Sequence, residues 1–321
     1  MQYAISLLGA LFCMVFPLTT LQAEPLKAVP AVVTDNASSA VMLDAKWAKD
    51  HIVAVGDHGV VLISNDQGVA FHQASAVPLS TPLTGVSFAD AQHGWAVGQW
   101  GAILASSDGG DSWQVQRLSS NKDRPLFAIH FFNVRQGVAV GLWSLVLTTD
   151  DGGQTWTEQT LDTPSGSSRA DLNLMGLFAN GEGAVFATAE RGQVLRSDDF
   201  GNSWRYLDTG YEGTLWSGAV LADGSLLVGG QRGTLLHGSA KGEDWHRVPL
   251  ERKSSITSIA VSGPHVVVAG LDGLMVRSDN GGQDFQEQLV ANGVSLTAVV
   301  LGDEKQPILF SRRGVLTVQP R

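Results

Sequence analysis

Apolar residues along this chain come in short runs bounded by Gly, Asp or Asn, each too short for a globular helix. Three such runs are clearest at Leu83-Thr84-Gly85-Val86-Ser87-Phe88, His93-Gly94-Trp95-Ala96-Val97-Gly98 and Gly101-Ala102-Ile103-Leu104-Ala105-Ser106. Their β-branched and aromatic interiors predict buried strands. Ser106-Ser107-Asp108-Gly109-Gly110-Asp111-Ser112-Trp113 follows, and its Trp opens a fourth strand. The motif returns at Ser64–Phe71, Thr149–Trp156 and Ser197–Trp204 with Asp66, Asp151 and Asp199 at the acid position; at Gly238–Trp245 and Ser278–Phe285 that position is Ala240 and Asn280. The closing aromatics Phe71, Trp113, Trp156, Trp204, Trp245 and Phe285 set a period of roughly 40 to 48 residues, the spacing of propeller blades.

The second strand of the unit ends in Gly56, Gly98, Gly141, Gly230 and Gly270, with Ala189 as the departure, and a Gly there is expected to serve a tight turn. The third strand opens at Gly59, Gly101, Ser144, Gly192, Gly233, Gly273 and Gly314, which counts seven units. The predicted fold is therefore all-β, a seven-bladed β-propeller of four-stranded antiparallel blades. The last unit, Leu296 to Val318, lacks the Asp motif and its outer strand. Because an open blade exposes a strand edge, the ring is expected to be closed by an N-terminal strand at Leu26–Thr34, the unassigned apolar segment.

The repeats run without a linker, so residues 24–321 are expected to form one domain. Before them, the apolar run Ile5–Val15 leads to Leu21-Gln22-Ala23, which reads as a signal peptide over residues 1–23 although Met1-Gln2-Tyr3-Ala4 carries no Lys or Arg. The run is short for a spanning helix, and the expected location is the periplasm or cell envelope. Cys13, the single cysteine, falls inside that leader, which leaves no thiol for disulfides or for catalysis. A net charge of −10 argues against a general grip on nucleic acid.

No nucleophile elbow, Walker loop, dinucleotide fingerprint or His-Glu-x-x-His is present, and the eight histidines show no ligand-like pair spacing. Neither a metal nor a cofactor is expected. In the repeated motif the Asp is placed to accept backbone N–H bonds, the Gly to take positive φ, and the aromatic to pack between sheets. Asp66, Asp108, Asp151 and Asp199, with Trp113, Trp156, Trp204 and Trp245, therefore read as a fold device, since residues that recur in every blade do not converge on one site.

The S/T-x-D-x-G-x-x-W/F pattern resembles the Asp box, or BNR repeat, of sialidases and other glycoside hydrolases. Sialidases employ an arginine triad and a Tyr nucleophile, whereas Tyr206 and Tyr211, the tyrosines left after the leader, are expected together in one connecting loop. The whole unit, Phe88-Ala89-Asp90-Ala91-Gln92-His93-Gly94-Trp95-Ala96-Val97-Gly98-Gln99-Trp100-Gly101 running into Ser106–Trp113, resembles the Ycf48/Hcf136 photosystem II assembly-factor family, and recurs at Phe131–Gly141. The resemblance implies a non-enzymatic, seven-bladed propeller that binds a membrane-protein client and assists its assembly. The photosystem role itself is not carried over, since relatives occur in bacteria without photosynthesis.

Turns after strands two and four share the face opposite the Asp motif. Seven equivalent turns there carry different residues: Asp57-His58, Gln99-Trp100, Leu142-Trp143, Glu190-Arg191, Gln231-Arg232, Leu271-Asp272 and Arg312-Arg313. Trp100, Trp143, Arg191, Arg232, Arg312 and Arg313 are the candidate partner-binding residues, with Arg117, Lys122, Arg124, Arg169 and Arg252 nearby and a long surface loop over Glu158–Asp171. The expected function is that of an exported scaffold, monomeric and peripheral to a membrane, that binds a membrane-associated protein or peptide client. The alternative is a carbohydrate-active Asp-box protein, either a degenerate glycoside hydrolase or a sugar-binding propeller.

Overall fold

The computed structural model describes residues 28–119, 122–163, 170–302 and 305–316, so the expected leader lies outside the described residues. Seven antiparallel sheets follow one another along the chain, six of four strands and a last one of three. Blade 2 shows the plan: inner strand Leu83–Phe88, then Gly94–Gly98, Ile103–Ser106 and outer strand Gln114–Arg117. Inner strands pack on those of both neighbouring blades, and the inner strand of blade 7, Leu296–Leu301, returns to that of blade 1, Met42–Ala48. The predicted all-β, seven-bladed ring is the observed fold.

Burial follows the order of the strands. Second strands such as His51–Gly56 and Gly137–Gly141 are buried throughout, whereas outer strands such as Gln114–Arg117 and His246–Arg247 are largely exposed. The apolar side chains form seven clusters, each between consecutive blades, with one that joins Met42, Ile52 and Leu62 of blade 1 to Ala298, Val300 and Phe310 of blade 7. Each fully buried Val, Ile or Leu contributes about 1.5–3 kcal/mol, so the blade interfaces carry the stability of the ring.

Side chains near the axis stitch blades together. Asp44 Oδ2 accepts the Val86 N–H at 3.0 Å, Thr84 Oγ1 donates to Leu126 O at 2.7 Å, and Ser217 Oγ accepts the Ile259 N–H at 3.1 Å. They line a polar central channel of about 140 Å³.

The glycine that ends the second strand has a different purpose from the one expected. Gly98 is extended (φ −171°), and a Cβ there would stand 2.1 Å from Pro82 O. The same clash of 2.1 Å would arise at Gly56, Gly141 and Gly230 against Val41 O, Pro125 O and Thr214 O. Glycine is required because the chain leading into the inner strand crosses at contact distance, where all seven inner strands also start with a register shift. The turn proper falls on the next two residues.

The N-terminal segment departs from expectation. Over its described part, residues 28–34, it forms no strand and does not join the last sheet. Ala31 N–H donates to Val77 O at 2.9 Å, Ser80 N–H to Val29 O at 2.7 Å, and Gln73 bonds both Thr34 and Val32. The segment therefore lies along the connection between blades 1 and 2, where Ala31 packs against the cluster that holds Val77 and Leu79. The following turn, Ala37–Ser39, does serve blade 7: Ser38 O approaches Gly314 as Leu79 O approaches Gly59 in blade 1. Blade closure rests on that turn, on Trp47 Nε1, which donates to Leu301 O at 2.8 Å, and on the edge-to-face pair Phe71–Phe310.

Candidate partner-binding face

The two faces of the ring are built on different rules. On one lie the Asp motifs. In blade 2, Asp108 accepts from Ser106 Oγ (2.8 Å), Ser112 N–H (2.9 Å) and Ser112 Oγ (2.5 Å), while Ser106 Oγ accepts the Gly110 N–H (2.9 Å). Trp113 Nε1 closes the hairpin on Gly110 O at 2.7 Å. Asp151 and Asp199 repeat the carboxylate bonds through Thr149 and Thr155 and through Ser197 and Ser203, and Asp66 through Ser64 and Ala70. The Thr155 hydroxyl and N–H hold the Asp151 carboxyl down at about 2. Trp204 and Trp245 close their hairpins as Trp113 does; the Trp156 ring nitrogen is buried without a partner. These bonds consume the carboxylates, as the fold-device reading expects.

On the other face, the turns after the second strand share one backbone shape and differ in side chain. His58, Trp100, Trp143, Arg191, Arg232 and Asp272 all take φ between 54° and 60°, and Gly59, Gly101, Ser144, Gly192, Gly233 and Gly273 follow them with positive φ. The left-handed region costs an L-residue roughly 1–2 kcal/mol, so a Trp at such a position is held under backbone strain. The strain is held from outside the turn. Asp123 accepts the Trp100 N–H (3.1 Å), Asn173 the Trp143 N–H (3.0 Å), Ser255 the Arg232 N–H (3.3 Å) and Ser295 the Asp272 N–H (3.2 Å). Each acceptor belongs to the connection that leads into the next blade. Sequence reasoning missed these four residues; their shared signal is a polar side chain just before the next inner strand, one residue before it for Asn173, Ser255 and Ser295 and three for Asp123.

The structure sorts the candidate residues. Trp143 is 58% exposed, Trp100 is half-buried, and the two indoles make no ring contact with each other among the described residues. Arg191, Arg232, Arg312 and Arg313 are exposed on the same face. Arg191 reaches Asp171 only at 3.8 Å, a surface pair of little worth, and the guanidinium groups of Arg232, Arg252, Arg312 and Arg313 have no acidic partner among the described residues. Arg117 and Arg124 are committed inward, Arg117 to Gly101 O (2.6 Å) and Arg124 to Glu158 (2.8 Å) and Trp143 O (3.5 Å). Arg169 and the rest of residues 164–169 in the expected 158–171 loop lie outside the described residues. The face thus has an aromatic sector on blades 2 and 3 and exposed arginines on blades 4, 5 and 7, with Asp272 on the blade 6 turn between the last two.

Two expectations are corrected elsewhere. Tyr206 sits on the outer strand Arg205–Asp208 rather than in a loop, and its hydroxyl donates to Asp162 O (3.0 Å). His237 and His246, apparently dispersed, are cross-strand neighbours on blade 5, with Nδ1 and Nε2 3.2 Å apart. Polar clefts also open between blades on the Asp-motif face. The one between blades 1 and 2, about 520 Å³, is lined by Asp50, His51, Asn65, His72, Gln92 and Asp111.

A ring whose hairpins are fixed by Asp boxes and whose opposite turns present unlike side chains is an Asp-box propeller. Residues 72–215 match the family model described as photosynthesis system II assembly factor YCF48, the family that the repeat resembles. Similar solved structures include YCF48 bound to D1 peptide (19% identity, TM-score 0.70, 92% of this chain and 96% of that one). YCF48 from Cyanidioschyzon merolae is also similar, with 18% identity, a TM-score of 0.69 and coverage of 86% and 94%. A glycoside hydrolase of the GH74 type from Niastella koreensis matches at 12% identity and TM-score 0.67, over 86% of this chain but 52% of that one. At these identities the structures show a shared fold. No curated protein sequence matches.

Proposed function

We propose that this chain is an exported, non-enzymatic, monomeric propeller that holds an extended segment of a membrane-protein client across the turns after its second strands and assists the client's assembly. The observation that carries the reading is Trp143: a large aromatic kept at positive φ, with its N–H fixed by Asn173 and its indole exposed. A fold needs only Gly there; a binding surface needs the indole. The unpaired Arg232, Arg312 and Arg313 supply the charge that would orient an acidic or carboxylate-ended segment. The YCF48 structure that holds a D1 peptide supports a peptide as the ligand class, and the leader-like residues 1–23 support export.

Site-specific photocrosslinking in intact cells tests the reading. A crosslinker at position 143 or 232 is expected to trap a membrane protein, and one at position 199, on the Asp-motif face, is expected to trap none. Adducts from position 199 alone would overturn the choice of face. The polar clefts favour a second reading, sugar binding on the Asp-motif face, which predicts glycan-array signals lost on Asp111→Ala and unaffected by Trp143→Ala.

A further inference from the structure

Blade 5 departs from its neighbours where its Asp motif has Ala240 in place of the acid. Two histidines flank the weakened hairpin. His237, on the third strand Thr234–Gly238, and His246, on the outer strand His246–Arg247, are directly paired across the strands, so their side chains leave on the same side. His237 Nδ1 and His246 Nε2 approach to 3.2 Å with their rings nearly perpendicular, at 78°. Behind them runs an ordered chain: Ser225 Oγ lies 2.8 Å from His237 Nε2 and donates to Asp223 Oδ1 at 2.5 Å.

The proton positions follow from that chain. A carboxylate only accepts, so the Ser225 hydroxyl spends its one proton on Asp223 and must accept from His237 Nε2–H. His237 Nδ1 then faces His246 Nε2 with one proton between the two nitrogens. A ring nitrogen tied back through its far N–H to a polar partner, with the near nitrogen aimed at a second imidazole, is the arrangement in which histidines hold metal ions. The separation fits as well. Zn–N bonds of about 2.0–2.1 Å place two ligands of a tetrahedron about 3.3–3.4 Å apart, close to the distance already present.

We propose that His237 and His246 chelate one borderline divalent transition-metal ion of the Zn²⁺ and Cu²⁺ class through Nδ1 and Nε2, the His246 proton moving to its own Nδ1, with Ser225 and Asp223 as positioning residues. Imidazole donors suit these ions rather than Ca²⁺ or Mg²⁺. No third His, Cys, Asp or Glu completes a cluster among the described residues, so the remaining coordination positions are open to water or to a group brought by another molecule. The site lies on the Asp-motif face, apart from Trp143, and does not depend on the proposed client.

Cu²⁺ titration of the full chain, followed by electron paramagnetic resonance, reads the site directly. The wild type is expected to bind one Cu²⁺ with two nitrogen ligands, displaced by Zn²⁺. His246→Gln, at an exposed position where folding is safe, and His237→Gln are each expected to weaken it at least about tenfold, and Asp223→Asn by about tenfold through lost orientation. Equal affinity in His246→Gln would assign the copper to other histidines and overturn the proposal. So would the absence of saturable binding by the wild type, or a spectrum with a single nitrogen ligand.

Discussion

The two faces of this ring use the same repeat in opposite ways. In the Asp motifs the side chain is the structural element: Asp108, Asp151 and Asp199 each accept the same bonds from residues two positions before and four after. At the turns opposite, the backbone is the structural element. Positive φ and an N–H held by the next blade recur, and the side chain is left over. A repeat therefore fixes residue identity where the side chain builds the fold, and fixes only conformation where it does not. Variation between blades becomes informative only on the second face.

Three experiments press on this contrast. The largest effect is expected from Trp113→Ala, which empties a buried site between blades 1 and 2 and removes the bond to Gly110 O. A loss of about 3–5 kcal/mol in urea unfolding is expected, since the ring cannot fill that volume. A cost under about 1 kcal/mol would mean that the Asp-motif face is not the structural one.

Acid should come next, in two steps. His130, on the inner strand of blade 3, is held at about 4 by burial and, less, by the Lys46 charge. The unfolded chain, with an ordinary value of 6.5, takes up a proton that the fold refuses, so stability is full above that value and falls as pH drops toward about 4. Asp151, at about 2 against an ordinary 3.8, gives stability that is full above 3.8 and is lost as pH falls through about 2. Urea midpoints measured against pH should show both declines; His130→Gln should abolish the upper one and Asp151→Asn should shrink the lower.

The smallest change in stability is expected where binding changes most. Trp143→Gly relieves a positive φ worth roughly 1–2 kcal/mol in an L-residue and should leave unfolding free energy unchanged or slightly higher, while crosslinking of a client is lost. Clear destabilisation would reassign Trp143 to the fold and blur the division between the faces.

The ring, its register and the role of the Asp motif were legible in the sequence because each is local: the hairpin bonds span two to four residues and repeat blade by blade. The turns that carry Trp100, Trp143, Arg191 and Arg232 were legible for the same reason. What escaped depends on distant chain. Gly98 looks like a turn glycine until Pro82 O is seen against it, Arg117 and Arg124 look free until Gly101 O and Glu158 are placed, and His237 meets His246 only through strand pairing. The N-terminal apolar segment lies along blades 1 and 2 instead of blade 7 because Val77 and Ser80 offer it backbone partners that composition does not reveal.

The join between blades 1 and 7 has a consequence in time. Trp47 and Leu301 are 254 residues apart, so their bond forms only after nearly the whole described chain is available. Earlier interfaces are settled between adjacent segments, and loop closure over so long a span comes at an entropic cost that the intermediate cannot recover until the last blade arrives. A chain emerging from its N-terminus would present an open arc, with Ile52, Leu62 and Phe71 waiting for Phe310. The molecule is thus most exposed to misassembly in the interval between its sixth and seventh blades, when its first blade is complete and still has an uncovered side.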